Sequence, residues 1–253
     1  MQIKTRLNKN KTRMQKFTIQ KKPKKYSAEG LSSALTYVKP KTLKVIGIRE
    51  LTLTTYILRL ERKNIQLFAG QHISLGFGND GATREYSVYS GENDPFIEVL
   101  IKEVEDGLVS KQLKRSEIGG KVRFDGPVGY FRIDKDKIEG KKFLFIASGT
   151  GIAPFHSFIN SYPGLDYQIL HGVRYAYEAY ERSDYDQGRY KICATRDDKG
   201  DYFGRVTEYL KDFPLDNKMQ VYLCGNCDMI HDAYDILLEQ GFPADNLHSE
   251  VYF

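Results

Sequence analysis

In Lys142-Phe-Leu-Phe-Ile-Ala-Ser-Gly-Thr-Gly-Ile-Ala-Pro154 a continuous apolar run stops at two glycines and resumes with helical spacing. Phe143 to Ala147 has the length and two-sided hydrophobicity of a buried parallel strand. Beyond the glycines, Phe155, Phe158, Ile159 and Tyr162 recur at i, i+3, i+4 and i+7, so the stretch predicts strand, tight turn, helix. Pro154 suits the first helical turn, where its missing N–H is not needed. Gly149 and Gly151 leave no Cβ between the backbone amides and anything bound above the helix N-terminus, a place for a pyrophosphate or a nicotinamide ribose. Pro154 stands where G-x-G-x-x-G has its third glycine, so read alone the turn is also an ordinary strand-to-helix connection.

Outward from this turn the chain changes character. Residues 40–133 are rich in Thr, Val, Ile and Tyr with turns about every ten residues, which predicts an antiparallel barrel. Residues 141–253 alternate strand and helix patterns, which predicts an α/β sheet. A length of 253 residues, 41% hydrophobic and 28% charged, fits a soluble globular protein of two domains. The expected organisation is a basic extension over 1–39, a barrel domain over 40–138 and an α/β domain over 139–253. No run of about eighteen apolar residues occurs, so no transmembrane segment is expected.

The net charge of +5 is a misleading average. Residues 1–40 hold 11 of the 38 lysines and arginines but only one of the 33 acids, Glu29, which leaves residues 41–253 at −5. Such a tail reads as a solvated, disordered extension rather than a nucleic-acid or membrane anchor. Met14 offers an alternative start. The tail has no apolar secretory core and is Lys-rich, unlike an organellar presequence, so a cytoplasmic protein is expected, with a monomer favoured. The three cysteines, Cys193, Cys224 and Cys227, are few and odd in number, as in a reducing compartment. Cys224-Gly-Asn-Cys227 has C-x-x-C spacing, but a zinc site needs about four ligands and no second pair follows, so no metal site is expected.

Along the first half, Leu43–Glu50, Thr52–Leu60, His72–Phe77, Thr83–Ser90 and Phe96–Val104 read as strands, and Gly119–Phe131 supplies a closing strand and a turn. Alternation puts Arg84, Tyr86 and Val88 on one face of their strand and Glu85 and Ser87 on the other. An arginine beside an aromatic ring suits a planar ligand carrying phosphate, or equally a cation–π pair on a barrel wall. Gly107 and Ser110 flank a short helix start, either a second anion site or a simple cap. In the second half, Tyr167–Gly172, Tyr190–Ala194 and Gln220–Cys224 are expected strands, with helices between Gly204 and Leu210 and between Asp228 and Leu238. Arg174, Arg196 and Arg205 fall near the C-terminal rim of such a sheet, where ligands bind and where arginines recognise the 2′-phosphate that separates NADP from NAD.

These residues resemble the ferredoxin–NADP reductase family along nearly all of 40–253. Arg84-Glu-Tyr-Ser87 is similar to its R-x-Y-S flavin motif and Gly107-Leu-Val-Ser110 to its G-x-x-S pyrophosphate segment. Gly126-Pro-Val-Gly129 matches its G-P-x-G turn, Gly149-Thr-Gly-Ile-Ala-Pro154 its nicotinamide loop and Cys224-Gly225 its C-G motif. Ala69-Gly-Gln71 looks like its P-G-Q turn with Ala69 for proline. His171-Gly-Val-Arg174, Thr195-Arg196, Gly204-Arg205 and Glu250-Val-Tyr-Phe253 resemble its bacterial branch.

The resemblance implies a six-stranded FAD-binding β-barrel followed by a parallel α/β NADP-binding domain. It would place Arg84 on the FAD pyrophosphate, with Glu85 in the same motif, Tyr86 along the ring and Ser87 at its reactive nitrogen. Gly107, Leu108, Val109 and Ser110 would contact the diphosphate, Tyr252 would cover the second ring face and Phe253 would lie near the adenine. Gly149, Thr150, Gly151, Arg174, Arg196, Arg205, Cys224 and Gly225 would bind NADP(H). Ser87, Cys224, Glu250 and Tyr252 would line the transfer site as positioning and electrostatic groups. The implied activity is hydride exchange between NADP(H) and FAD, with single electrons passed to an external ferredoxin or flavodoxin. The same scaffold serves oxygenase reductase components and flavin or quinone reductases, and a non-catalytic NADPH-sensing protein is the remaining alternative.

Overall fold

The computed structural model describes residues 41–78 and 81–252. The expectations for the extension over 1–39, for Met14 and for Phe253 lie outside these residues.

The first six strands are β1 (Thr42–Glu50), β2 (Thr55–Glu61), β3 (His72–Gly76), β4 (Thr83–Ser87), β5 (Phe96–Lys102) and β6 (Lys121–Val128). They form one antiparallel sheet in the order β4-β3-β6-β1-β2-β5. Just past β4 the Val88 N–H still reaches the Gln71 carbonyl at 2.9 Å, while the Tyr89 N–H reaches Glu98 of β5 at 2.7 Å. With Val88 bridging Val99, the chain passes from one edge strand to the other and closes the sheet into the expected barrel. This handover ends β4 at Ser87, short of the expected Ser90. β2 likewise starts at Thr55 rather than Thr52, because the Thr52 hydroxyl accepts the Thr55 N–H at 3.0 Å and makes a local turn. The helix α1 (Leu108–Lys114) sets Val109 and Leu113 into the barrel core beside Leu43, Val45, Tyr56 and Phe124.

The second sheet contains β7 (Lys142–Ser148), β8 (Asp166–Val173), β9 (Tyr190–Ala194), β10 (Tyr202–Phe203), β11 (Gln220–Asn226) and β12 (Leu247–Tyr252). All its pairs are parallel, in the order β10-β9-β8-β7-β11-β12. Helices α2 (Ala153–Ser161), α3 (Val206–Asp212) and α4 (Cys227–Glu239) make its longer crossovers. From β7 the chain winds outward to β10, then returns to place β11 on the other side of β7. The winding therefore reverses between β7 and β11, where an open α/β sheet leaves a crevice at its carboxyl ends. β7 is buried on both faces from Phe143 to Ala147, the reason it reads as an unbroken apolar run. The segment expected as a C-terminal tail is strand β12. Only Leu247, Val251 and Tyr252 of it are apolar, so its pattern gives no strand signal. Backbone pairing to β11 makes it one.

The two sheets share a core. Phe145 stacks on Phe155 with centroids 4.8 Å apart, a pair worth about 0.5–1.5 kcal/mol beyond its buried area. The same cluster runs through Phe158 and Tyr222 into Phe131, Ala69, Tyr89, Leu100 and Ile57 of the barrel half. Polar bonds follow this seam: the Ser157 hydroxyl donates to the Ser90 carbonyl at 2.7 Å, and the Tyr162 hydroxyl to Glu92 at 2.9 Å. His156 sits with Nδ1 2.7 Å from the Tyr89 carbonyl and its ring stacked on Tyr89 at 3.7 Å. This seam holds the end of β4 against the end of β12.

Candidate functional site

Strand register assembles the centre of the site. β12 pairs with β11 so that Glu250 lies beside Cys224 and Tyr252 beside Asn226, while β4 pairs with β3 so that Ser87 lies beside His72. Across the seam the Tyr252 hydroxyl donates to Ser87 Oγ at 2.7 Å, and the Ser87 hydroxyl donates to Glu250 Oε1 at 2.7 Å. The four residues expected at a transfer site, Ser87, Cys224, Glu250 and Tyr252, are thus neighbours, although 163 residues separate Ser87 from Glu250. Burial raises the Glu250 carboxyl above its usual range, opposed by the Ser87 hydrogen bond and by His72, whose Nδ1 lies 3.9 Å away. Burial also drives the Cys224 thiol and the Tyr252 phenol well above their ordinary values. The buried Cys224 thiol is thereby held in its neutral form. Alkylation of the native protein with iodoacetamide should therefore label Cys227, which is partly exposed, and spare the buried Cys193 and Cys224. Fast labelling at Cys224 would contradict this arrangement.

The nicotinamide-type turn packs the end of β7 against the end of its neighbour β11. Gly149–Ile152 form a turn of 3₁₀ helix that runs into α2, with Pro154 in the first turn as expected. Gly149 has φ +53°, and a Cβ there would meet nothing within 4 Å, whereas a Cβ on Gly151 would lie 2.2 Å from the Cys224 carbonyl oxygen. One glycine gives conformation and open space; the other lets the loops after β7 and β11 touch. Ser148 and Asn226, neither of them among the expected site residues, tie these loops together: the Asn226 N–H donates to Ser148 Oγ at 2.9 Å. The Asn226 side chain then caps α4 by accepting the Asp228 and Met229 N–H groups at 3.0 and 3.3 Å. An Asn just before a helical pattern with an acid in its first turn is the signal that could have found it.

A cleft of about 500 Å³ opens above these loops, lined by Ser148, Gly149, Thr150, Gly225, Asn226 and Tyr252 at one end and by Arg174, Thr195 and Arg205 at the other. Its size is that of a small-molecule site. Arg174 and Arg205 are brought together here. Arg196 neighbours Arg174 through its backbone N–H on the Arg174 carbonyl, but its guanidinium lies over the Tyr175 ring at 6.0 Å. Lys102 reaches in from the barrel to pair with Glu178 at 3.2 Å, and Glu178 in turn accepts the Arg174 and Tyr175 N–H groups. No local pattern signals this pair, which joins positions 76 residues apart.

On the barrel, Arg84 is exposed, its guanidinium bonded to the Thr83 carbonyl at 2.8 Å. Tyr86 is half-buried against the barrel core, and Glu85 points to solvent 3.8 Å from His72. The G-x-x-S segment differs from the expectation in two details. The Gly107 N–H is not free, because it closes a turn on the Val104 carbonyl at 2.9 Å, and the Ser110 hydroxyl accepts the Val104 N–H at 3.2 Å. The Val109 side chain faces the core while Leu108 is 65% exposed. Among the described residues, the Leu108 and Val109 amides have no protein acceptor, so these two amides rather than that of Gly107 are open to an anion.

Residues 44–133 match the oxidoreductase FAD-binding domain, and residues 145–235 the oxidoreductase NAD-binding domain. The toluate 1,2-dioxygenase electron transfer component of Pseudomonas putida is 25% identical over 225 residues, covering 82% of this chain and 66% of that protein. Ferredoxin–NADP reductase B of Sorangium cellulosum is 26% identical over 240 residues, covering 84% of this chain and 98% of that one. The chain spans about a third of several NADH-cytochrome b5 reductases that it also matches. The crystal structure of a ferredoxin NADP+ reductase from Neisseria gonorrhoeae with bound FAD and NADP superimposes with a TM-score of 0.76 at 22% identity, covering 85% of this chain and all of that one. With both matched domains following one another in the order of the two sheets, the chain belongs to the ferredoxin–NADP reductase family of FAD- and NAD(P)-binding oxidoreductases.

Proposed function

We propose that this protein exchanges hydride between NADP(H) and a bound FAD, and passes single electrons to or from an external ferredoxin or flavodoxin. The observation that carries this reading is the Tyr252–Ser87–Glu250 chain, whose Tyr252 lines the same cleft as Arg174 and Arg205. The chemistry of the residues present fits a flavin dinucleotide: two open amides and an exposed arginine for the diphosphate, two tyrosine rings and the buried Ser87 hydroxyl for the ring. When bound, a flavin couples two-electron exchange with nicotinamide to one-electron exchange with a partner.

The roles of the chain's own groups follow from their surroundings. Arg84 and the Leu108 and Val109 amides would hold the diphosphate. Tyr86 and Tyr252 would cover the ring faces and exclude water. Ser87 orients the Tyr252 hydroxyl and, through its bond to Glu250, can hold or release a proton inside the site. Arg174 and Arg205 would bind the 2′-phosphate of NADP, with Arg196 at the rim. The match to a ferredoxin–NADP reductase over nearly that protein's whole length supports the external carrier, and the match to a dioxygenase electron transfer component supports an oxygenase partner as the second reading. Three free thiols suit a cytoplasmic setting.

An anaerobic absorbance titration tests this. Purified protein should be yellow or take up FAD, and NADPH should bleach the flavin band at concentrations at least about tenfold below those needed for NADH, the discrimination worth about 1.4 kcal/mol that one ion pair to phosphate provides. Reduction of an added ferredoxin or flavodoxin, against that of an oxygenase, then separates the two partner readings. A colourless protein that cannot be reconstituted with FAD would sink the enzyme reading.

A further inference from the structure

His171 is fully buried near the C-terminal end of β8, between Ala147 of β7 and Ile192 of β9, in a layer of mostly apolar side chains. A buried imidazole is costly unless both of its nitrogens are bonded. Both are. Nε2 lies 2.7 Å from the Gly149 carbonyl oxygen, and Nδ1 lies 2.6 Å from the Tyr190 hydroxyl. A carbonyl can only accept, so Nε2 carries the hydrogen, and the Nδ1 lone pair accepts from Tyr190. Burial lowers the His171 pKa to about 4, with the Gly149 bond and Glu178 opposing, which keeps this neutral tautomer at working pH.

We propose that His171 is a positioning residue for nicotinamide-nucleotide binding: it turns the Gly149 carbonyl into the protein and so fixes the glycine turn in its receptive form. Gly149 is the residue of the turn with φ +53°, and open space lies where its side chain would be. A carbonyl pointing into the cleft would set an acceptor against the phosphate or carboxamide oxygens of an arriving nucleotide. The His171 bond removes that acceptor from the cleft, and Tyr190, itself buried, holds the imidazole in the donating tautomer. Tyr190 in turn stacks on Tyr185 at 4.8 Å, so the ring that sets the tautomer is itself fixed by packing. This role rests on the nucleotide-binding reading of the cleft.

The test compares FAD-loaded wild type with His171→Leu, His171→Gln and Tyr190→Phe, measuring equilibrium NADP+ binding by difference absorbance, flavin content, and kcat at saturating NADPH. His171→Leu leaves the Gly149 carbonyl unpaired, an energy of about 1–3 kcal/mol, so NADP+ affinity should fall about 5- to 150-fold with flavin content unchanged and kcat within about threefold. His171→Gln, whose amide can donate in place of Nε2, should recover most of that loss. Should the leucine variant fail to fold, Tyr190→Phe still decides, with an expected loss of about threefold in affinity from an untethered imidazole. Wild-type affinity in His171→Leu, or in Tyr190→Phe where only that variant folds, overturns the inference. Wild type that binds FAD but no NADP+ overturns the reading of the cleft, and this inference with it.

Discussion

Ser87→Ala is expected to slow NADPH oxidation about 10²-fold while leaving NADP+ affinity unchanged within about twofold. The Ser87 hydroxyl is 4% exposed as a residue and bonds on both sides, accepting from Tyr252 and donating to Glu250. Removing it leaves the Tyr252 hydroxyl without its acceptor and the half-buried Glu250 carboxyl without its donor. Both partners then reorient, and the geometry that binding energy has fixed is lost at the reacting end rather than at the phosphate end. The effect therefore belongs in kcat. Anaerobic stopped-flow with saturating NADPH reads it directly, and Ser87→Thr, which keeps the hydroxyl, should retain most of the rate. An alanine variant within about threefold of wild type would mean that Ser87 only seats the aromatic ring.

Gly151→Ala is expected to destabilise the protein by about 3 kcal/mol or more, whereas Gly149→Ala should cost only about 1–2 kcal/mol. The methyl at 151 would meet backbone: the Cys224 carbonyl oxygen at 2.2 Å, its carbon at 2.6 Å and the Gly225 Cα at 2.8 Å. No side chain can rotate away to relieve this, so the ends of β7 and β11 must part. The methyl at 149 meets nothing, and its cost is that of a left-handed residue with a Cβ. Its functional cost is larger, because the added group occupies the open side of the turn and should weaken NADP+ binding. Urea unfolding of both variants separates the effects. Equal midpoints would show that the two loops are not packed as tightly as their backbones indicate.

The fold class was legible because each half has its own periodicity. Phe143 to Ala147 is apolar on both faces because β7 is covered on both faces, and the helix after it is visible in the spacing of Phe155, Phe158, Ile159 and Tyr162. The barrel strands were legible for the same reason, with errors at their ends. Thr52 has the β propensity of a strand residue, but its hydroxyl makes a turn, and Ser87 to Ser90 continues an alternating pattern where the backbone changes partner. Propensity describes a residue alone, while these ends are decided by hydrogen bonds to residues elsewhere.

Local pattern and composition are enough for the barrel half, the α/β half, the strand–glycine turn–helix at Lys142–Pro154 and the chemical types present at the site. Tertiary structure alone decided which of those residues meet. β12 carries no strand signal, yet its register against β11 places Glu250 beside Cys224, and across the seam Glu250 and Tyr252 of that strand meet Ser87. Of three candidate arginines, two line the cleft and one stacks on a tyrosine, a distinction that rim position cannot supply. His171 and Gly151 make the same point at single residues. A histidine in a strand and a glycine in a turn have many uses, and only the carbonyl each one faces identifies which use applies. The physical reason is range: periodicity is set by neighbours a few residues away, whereas a hydrogen bond or a backbone contact is set by whatever the closed core places opposite.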